Sequence, residues 1–205
     1  MKDQAEKLRS MAQSIKNKIE ADMVKGFKHT RVIAVTSGKG GVGKTNLALN
    51  LAIAMAQSGF RVVLFDADMG LANVDIIMGL TPKYNLYHVI RKEKEIKDIL
   101  ISGPKGLHII PGGSGIFEMA NLSDEELKRV ITELAKLDGD ADYMVIDTGA
   151  GISNNVISFV LSADEIIVIT TPEPTSLTDA YGIIKTVAAR ETGGKIFAIV
   201  NRVAS

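Results

Sequence analysis

TSGKGGVGKT, residues 36–45, is the stretch that decides the fold of this 205-residue chain. From Gly38 to Thr45 it satisfies the spacing G-x-x-x-x-G-K-[ST] of a phosphate-binding loop. In such a loop, glycines let successive backbone N–H groups converge on phosphate oxygens, and the lysine reaches the β and γ phosphates. The stretch therefore predicts a nucleotide site in which Lys44 contacts phosphate and the Thr45 hydroxyl contacts Mg²⁺.

The residues on either side of the loop have the pattern that such a site needs. Residues 31–35 are a β-branched run typical of a buried parallel strand, and residues 46–55 continue as a largely apolar helix. The N-terminus of that helix would add partial positive charge beside the phosphates. The predicted nucleotide contacts are Gly38, Lys39, Gly40, Gly41, Val42, Gly43, Lys44, Thr45 and Asn46.

Lys39 places a second cation inside the loop. The pattern K-G-G-x-G-K-T over residues 39–45 resembles the deviant Walker A motif of the MinD/ParA ATPase family. The resemblance implies that Lys39 crosses to the other subunit of an ATP-bound homodimer and contacts the phosphates there. A cation at that point would stabilise the negative charge that accumulates during phosphoryl transfer, so Lys39 joins Lys44 as a candidate catalytic residue.

Composition limits the class of protein. With 46% hydrophobic residues the chain can bury a core, and its 24 basic and 24 acidic residues cancel, so net charge favours neither a nucleic-acid nor a membrane partner. It has no cysteine, which excludes disulfides and cysteine-bound clusters within these residues. No apolar run approaches the ~20 residues of a membrane span, and a charged N-terminus argues against a secretory signal. We therefore expect a cytoplasmic protein.

Residues 1–30 form a separate N-terminal segment and linker ahead of an ATPase domain at residues 31–205. The segment has seven basic and four acidic residues, and Ala5, Leu8, Ala12, Ile15 and Ile19 recur at helical spacing, which predicts an amphipathic helix. Such a helix usually packs on its own domain or on a dimer mate, and it can also bind a partner protein.

The start of this segment carries a second resemblance. D-Q-A-x-x-L-R, at residues 3–9, is similar to the N-terminal motif of the FlhG (YlxH/FleN) branch of the MinD-like ATPases, which activates the flagellar GTPase FlhF. The resemblance implies a partner-binding role for the motif positions, which are Asp3, Gln4, Ala5, Leu8 and Arg9.

Two further strand ends carry carboxylates. Asp66 and Asp68 follow an apolar strand over residues 59–65, and Asp147 follows another within residues 142–151, in the shape of a Walker B motif. The family resemblance assigns Asp66 and Asp147 to Mg²⁺ and Asp68 to positioning the attacking water. The backbone N–H of Gly149 could sense the γ-phosphate. The alternative for Asp66 and Asp68 is that they cap the following turn.

The remaining chain completes the pattern of alternating strands and helices. Ser123 opens a helix that runs to about residue 137, residues 106–113 predict a third strand in which His108 packs rather than reacts, and residues 165–171 predict another strand. Glu173 and Asp179 resemble residues near the nucleotide and dimer face of MinD. A final strand begins at residue 195, and the family resemblance implies that the amide of Asn201 after it hydrogen-bonds adenine, which favours ATP over GTP.

Together these segments predict a three-layer α/β fold, a MinD-like P-loop NTPase with a mainly parallel twisted sheet and a nucleotide at the carboxyl ends of its strands. Relatives continue with another strand, helices and often an amphipathic membrane-targeting helix. We therefore expect a truncated C-terminus, with peripheral association with the inner face of the membrane only through that helix.

The leading hypothesis is a slow, Mg²⁺-dependent ATPase that alternates between ATP and ADP states and dimerises with ATP. The resemblance implies FlhF and flagellar C-ring proteins as partners, with flagellar number and placement as the output. A DNA- or membrane-binding partitioning or division-site ATPase is the alternative, although the neutral chain carries no obvious basic patch. An iron–sulfur carrier is disfavoured by the absence of cysteine. A scaffold without hydrolysis is disfavoured because every expected catalytic position is filled.

Overall fold

A computed structural model describes residues 29–68, 73–113, 122–190 and 194–203 of the chain. Its framework is one sheet of seven strands, six of which run parallel. The strands are β1 (Arg31–Ser37), β2 (Val62–Ala67), β3 (Ile101–Ser102), β4 (His108–Ile110), β5 (Tyr143–Ala150), β6 (Glu165–Thr170) and β7 (Lys195–Val200).

The strand order is β3-β4-β2-β5-β1-β6-β7, so β1 lies inside the sheet between two strands that come much later in the chain. The short strand β3 pairs antiparallel with β4, and sequence analysis did not predict it. All six residues of β2 are buried, which is the pattern of a parallel strand covered on both faces.

Six α-helices in the described ranges cover the two faces of the sheet. They are α1 (Lys44–Gln57), α2 (Val74–Met78), α3 (Leu86–Ile90), α4 (Asp124–Ala135), α5 (Asn154–Leu161) and α6 (Pro174–Ala188), with 3₁₀ turns at Ile96–Ile99 and Pro104–Gly106. No helix in the described ranges is both long and apolar enough to cross a membrane.

The alternating side chains of the strands divide the core into two layers. Leu64 of β2 points to the face covered by α1, where it packs with Ala48 and Leu49. Phe65, the next residue, points to the opposite face and packs edge-on against Phe159 of α5, with ring centroids 5.5 Å apart. The predicted three-layer fold is therefore confirmed.

Local signals in the sequence explain where several elements begin. Ser123 caps α4 as predicted: its hydroxyl accepts from the backbone N–H of Glu126, while the Glu126 carboxylate accepts from the N–H of Ser123. Only short helices and a 3₁₀ turn lie between residues 73 and 101 in the described part of the chain.

Two expectations are wrong. His108 is exposed rather than packed, because it is the first residue of β4 and lies beside the exposed turn at Lys105. Asp147 does not end its strand, since β5 continues to Ala150. An irregularity in β1 between Val35 and Ser37 lets Ala150 keep pairing with Ser37.

Candidate functional site

The loop from Gly38 to Gly43 connects the end of β1 to the first turn of α1. Gly41 and Gly43 have φ values of 78° and 100°, in the left-handed region that favours glycine. Gly43 is the N-cap of α1, and no side chain caps the backbone N–H groups there. The sequence thus builds a loop with unblocked amide groups next to a helix N-terminus, which suits an anion.

Lys44 and Asp147 form a buried ion pair beneath this loop. The Lys44 Nζ lies 2.6 Å from the Asp147 Oδ1, and the two side chains are only 8% and 1% exposed. The pairing of Val35 in β1 with Asp147 in β5 brings these residues together. The Thr45 hydroxyl lies 3.4 Å from the same Nζ. The predicted phosphate ligand, Lys44, therefore lies beside two predicted metal ligands, Thr45 and Asp147.

The second carboxylate oxygen of Asp147 accepts no hydrogen bond within the described part of the chain. Asp147 Oδ2 is buried and has no hydrogen-bond partner there. In the described residues, no group of three or more histidine, aspartate or glutamate side chains is arranged to hold a metal ion by itself. A Mg²⁺ at a nucleotide site needs only one or two carboxylates, since waters and phosphates complete its shell. The unused Asp147 oxygen and the Thr45 hydroxyl therefore fit Mg²⁺ bound together with a nucleotide.

Asp66 lies beside Asp147 because the two residues face each other in the pairing of β2 with β5. Its carboxylate accepts hydrogen bonds from the backbone N–H groups of Asp68, Asn73 and Val74 at 3.0–3.2 Å. Burial, opposed by these bonds and reinforced by the negative charge of Asp147, raises the pKa of Asp66 to about 7. Asp66 thus ties together the two ends of the segment that follows β2.

The predicted water-positioning residue and the predicted γ-phosphate sensor are neighbours. A Cβ placed on Gly149 would lie 3.7 Å from the Asp68 Oδ1. Asp68 also lines the cleft above the glycine loop. The ends of β2 and β5 therefore bring these two functions to the same side of the phosphate site.

Lys39 makes its contacts within its own chain. Its Nζ lies 2.9 Å from the Glu173 Oε2 and 3.4 Å from the Thr175 hydroxyl, at the start of α6. The Lys39 and Glu173 side chains are 43% and 61% exposed. The hydrogen bond from Lys39 lowers the pKa of Glu173 below its ordinary value. The Lys39 side chain therefore lies on the surface, whereas the Lys44 side chain is enclosed beneath the loop.

Two other predicted residues brace the loop. Asn201, just after β7, donates from Nδ2 to the carbonyl oxygen of Val42 at 2.8 Å. A Cβ on Gly43 would come within 2.6 Å of that nitrogen. Asp179 of α6 packs so closely on Gly38 that a Cβ there would lie 2.5 Å from the Asp179 backbone carbon. The adenine-reading candidate and the dimer-face candidate thus also hold the loop in place.

A cleft of about 650 Å³ opens above the loop. Five of the residues that line it were not among the predicted contacts: Ser37, Asn73, Ile77, Ala150 and Arg202. Ser37 and Ala150 end their strands, whereas Ile77 lies within α2. Arg202 has a φ of 57°, which is uncommon for a residue with a side chain.

The predicted partner-binding residues, Asp3, Gln4, Ala5, Leu8 and Arg9, lie outside the described residues.

Comparisons with known proteins agree with a nucleotide site at the glycine loop. The family profile described as an AAA domain matches residues 30–194. The antiactivator FleN of Pseudomonas aeruginosa is 50% identical over 155 residues, covering 76% of this chain and 55% of that protein. The flagellum site-determining protein YlxH of Helicobacter pylori is 40% identical over 177 residues, covering 86% of this chain and 59% of that protein.

Among solved structures, the septum site-determining protein MinD of Pyrococcus horikoshii, complexed with Mg-ADP, superposes with a TM-score of 0.74. The identity is 30%, with 85% of this chain and 71% of that chain covered. The chain thus spans 55–59% of the length of the two curated relatives described above.

Proposed function

Because the chain belongs to the MinD/ParA family of P-loop ATPases, we propose that it binds ATP with Mg²⁺, hydrolyses it slowly and dimerises in the ATP-bound state. The observation that carries this proposal is the buried contact between Lys44 and Asp147 beneath the glycine loop. A lysine held at that position can pass from the carboxylate to the β and γ phosphates when a nucleotide enters.

The residues at the strand ends have separable roles in this proposal. Thr45, Asp66 and Asp147 would hold Mg²⁺. When bound, the ion neutralises charge on the phosphate oxygens. Asp68 positions the attacking water, the Gly149 N–H contacts the γ-phosphate, and the Asn201 amide reads adenine.

Dimerisation requires Lys39 to leave Glu173 and reach the phosphates bound by the second subunit. An exposed ion pair of this kind contributes ~0–1 kcal/mol, so the phosphates can displace it at little cost. We also propose that Glu173 contacts the nucleotide or the partner subunit once Lys39 has moved. The chain would then alternate between a monomer with Lys39 held in cis and an ATP-bound dimer.

The cellular process that the ATPase regulates is proposed from its relatives. The relative YlxH is named a flagellum site-determining protein, which supports a role in flagellar number and placement. In this proposal residues 1–25 stimulate the flagellar GTPase FlhF through Asp3, Gln4, Ala5, Leu8 and Arg9, and flagellar C-ring proteins bind the dimer. The protein would act in the cytoplasm and reach the membrane peripherally.

The test of the ATPase switch is Asp68→Ala in the 205-residue chain. ATP binding and ATP-dependent dimers should persist, while phosphate release falls to the uncatalysed rate. Unchanged release would remove Asp68 from the mechanism, and the absence of ATP-dependent dimers in the unsubstituted chain would remove the switch.

The test of the flagellar role is the GTPase rate of purified FlhF with a peptide of residues 1–25. The peptide should stimulate the rate, and Gln4→Ala should abolish the stimulation. A peptide without effect would overturn the FlhF assignment while leaving the ATPase proposal intact.

A further inference from the structure

An apolar cleft of about 250 Å³ lies at the amino ends of the strands, on the side of the sheet opposite to the nucleotide cleft. Leu134 of α4 and Met144 and Ile146 of β5 form part of its buried lining. Ala135, Asp138 and Ser162 on its rim are exposed. An apolar cavity of ~150 Å³ already admits a benzene molecule, so this cleft is large enough for one or two aliphatic side chains.

The chain enters the domain at the edge of this cleft. Thr30, itself part of the lining, donates its backbone N–H to the Asp138 Oδ1 at 2.8 Å and its hydroxyl to the Ala141 carbonyl at 2.8 Å. The His29 ring lies 2.9 Å from the Asp138 Oδ2. These bonds fix residue 29 beside the rim, so the segment before it starts next to an apolar opening.

That segment carries the side chains that such an opening accepts. Residues 5, 8, 12, 15 and 19 form its apolar stripe, and Ile15 and Ile19 are one helical turn apart. Nine residues, 20–28, separate Ile19 from His29, and they can span up to ~30 Å when extended. Ile19 can therefore return to a cleft whose rim lies at residue 30.

The segment is also opposite in net charge to the stretch that contains Asp138, the charged residue on the rim of the cleft. Residues 1–30 contain seven basic and four acidic residues, a net charge of +3. Residues 124–142, which form α4 and the turn beneath it, contain seven acidic and three basic residues, a net charge of −4. The backbone N–H of Thr30 and the His29 ring lower the pKa of Asp138, which keeps this rim carboxylate ionised. Attraction of this kind favours the basic segment over a neutral or acidic one.

We propose that residues 1–28 dock in cis on this amino-edge cleft, with Ile15 and Ile19 inserted between α4 and the ends of β1 and β5. Docking buries the apolar stripe against the domain's own core. A partner protein that takes the same stripe must displace it first.

The absence of cysteine allows a direct test by disulfide formation. Ala135→Cys is combined with Ile19→Cys, with Ile15→Cys, or with Asn17→Cys as the control on the opposite face of the predicted helix. We expect at least one isoleucine position to close an intramolecular disulfide tenfold or more faster than Asn17. Equal rates, or disulfides formed only between two chains, would overturn docking in cis.

A second test leaves the N-terminal segment unchanged. Ala135→Arg places a bulky charge on the rim, and Thr132→Arg places the same charge on an exposed position of α4 as the control. Hydrogen exchange of the amides of residues 12–19 should be slowed in the unsubstituted chain and in Thr132→Arg, and should rise at least tenfold in Ala135→Arg. Equal exchange in the two variants would reject the cleft as the docking site. Neither test depends on ATP hydrolysis.

Discussion

The carboxyl edge and the amino edge of the sheet both contain ion pairs, but they hold them in different environments. At the carboxyl edge Lys44 and Asp147 are almost completely buried, with their side chains 8% and 1% exposed. At the amino edge the Lys97 and Asp140 side chains, 2.7 Å apart, are 56% and 54% exposed. Exposed pairs contribute little, whereas a buried pair costs several kcal/mol to desolvate.

This difference in the burial of the ion pairs indicates that the two edges of the sheet have different roles. Charges at the amino edge join neighbouring turns and can be replaced with little loss. At the carboxyl edge Lys44 and Asp147 are kept out of water, and one carboxylate oxygen of Asp147 is unpaired among the described residues. A fold selected for stability alone would not retain such an arrangement, so the carboxyl edge is built for a ligand.

The largest effect should come from breaking the buried pair. Lys44→Ala leaves Asp147 as an uncompensated buried charge, so the free energy of unfolding should fall by ~3–5 kcal/mol, and ATP binding should be lost. Urea denaturation and nucleotide titration measure the two effects. The double variant Lys44→Ala/Asp147→Ala should regain part of the stability but none of the binding. Lys97→Ala at the amino edge, which changes stability by ~1 kcal/mol or less, is the matched control.

The pH dependence of stability should also differ between the edges. Asp66, with a pKa of about 7 when folded and near 3.8 when unfolded, binds more protons in the folded state between these values. The free energy of unfolding without nucleotide should therefore fall as pH rises from about 4 to about 7, by up to ~4 kcal/mol from this group. Asp66→Asn should remove this slope in urea titrations.

The pH dependence of stability that Asp138 contributes at the amino edge has the opposite sign to that of Asp66. The pKa of Asp138 is lowered in the folded state, so its contribution is present above its ordinary pKa of 3.8 and is lost as pH falls below that value. If Asp66→Asn leaves the slope between pH 4 and 7 unchanged, the assignment of that slope to the carboxyl edge is wrong.

Two glycines of the same loop differ in the space that a side chain would find, so their replacement by alanine distinguishes a packing effect from the loss of backbone flexibility. In Gly38→Ala the new Cβ meets the backbone of Asp179 at 2.5 Å, so α6 or the loop must shift, and we expect a loss of ~1–3 kcal/mol. In Gly40→Ala nothing among the described residues lies within 4 Å of the new Cβ, and the change should stay within ~0.5 kcal/mol. Thermal unfolding without nucleotide compares them, and equal losses would contradict the contact with α6.

The buried hydroxyl of Thr30 at the amino edge tests whether a substitution there lowers stability without changing ATP affinity. Thr30→Val keeps the shape but removes the hydrogen bonds to the Ala141 carbonyl and from the Gly139 N–H. Stability should fall by ~1–2 kcal/mol, because two buried groups lose their partner. ATP affinity, measured by titration, should be unchanged. A tenfold loss of affinity would mean that the two edges are coupled.

The smallest change in stability should come from the second lysine of the loop. Lys39→Ala removes an exposed pair with Glu173 and should alter the free energy of unfolding by less than ~1 kcal/mol. Sedimentation should nevertheless find no ATP-dependent dimer, with ADP affinity intact. Dimers that persist in this variant would contradict the proposed crossing of Lys39 to the second subunit.

Sequence reasoning identified the residues whose roles depend on local spacing. The glycine loop, Lys44, Asp147 and the cap at Ser123 each follow from a few neighbouring residues. In the structure the loop precedes α1, Lys44 pairs with Asp147 beneath it and Ser123 caps α4, but the strand that carries Asp147 continues to Ala150. The three-layer fold followed from the alternation of strands and helices.

Contacts between distant segments were beyond such reasoning. The pair of Lys39 with Glu173 joins residues 134 positions apart, and Arg202 lines the cleft because the end of β7 lies beside the loop. Asp66 was assigned to metal from the family resemblance, but its bonds to three backbone N–H groups depend on how the following segment folds back. Linear spacing does not encode these approaches.

The strand order also constrains how the site comes into being on the ribosome. Val35, just before the glycine loop, pairs with Asp147 in β5, which is translated 112 residues later. At ~5–20 residues per second, the loop is complete on the order of ten seconds before its buried carboxylate exists. A nascent chain therefore exposes the glycine loop early but gains a phosphate site late, when β5 inserts between β1 and β2. Translation that stops before residue 147 would release a chain that carries the whole motif and lacks the site.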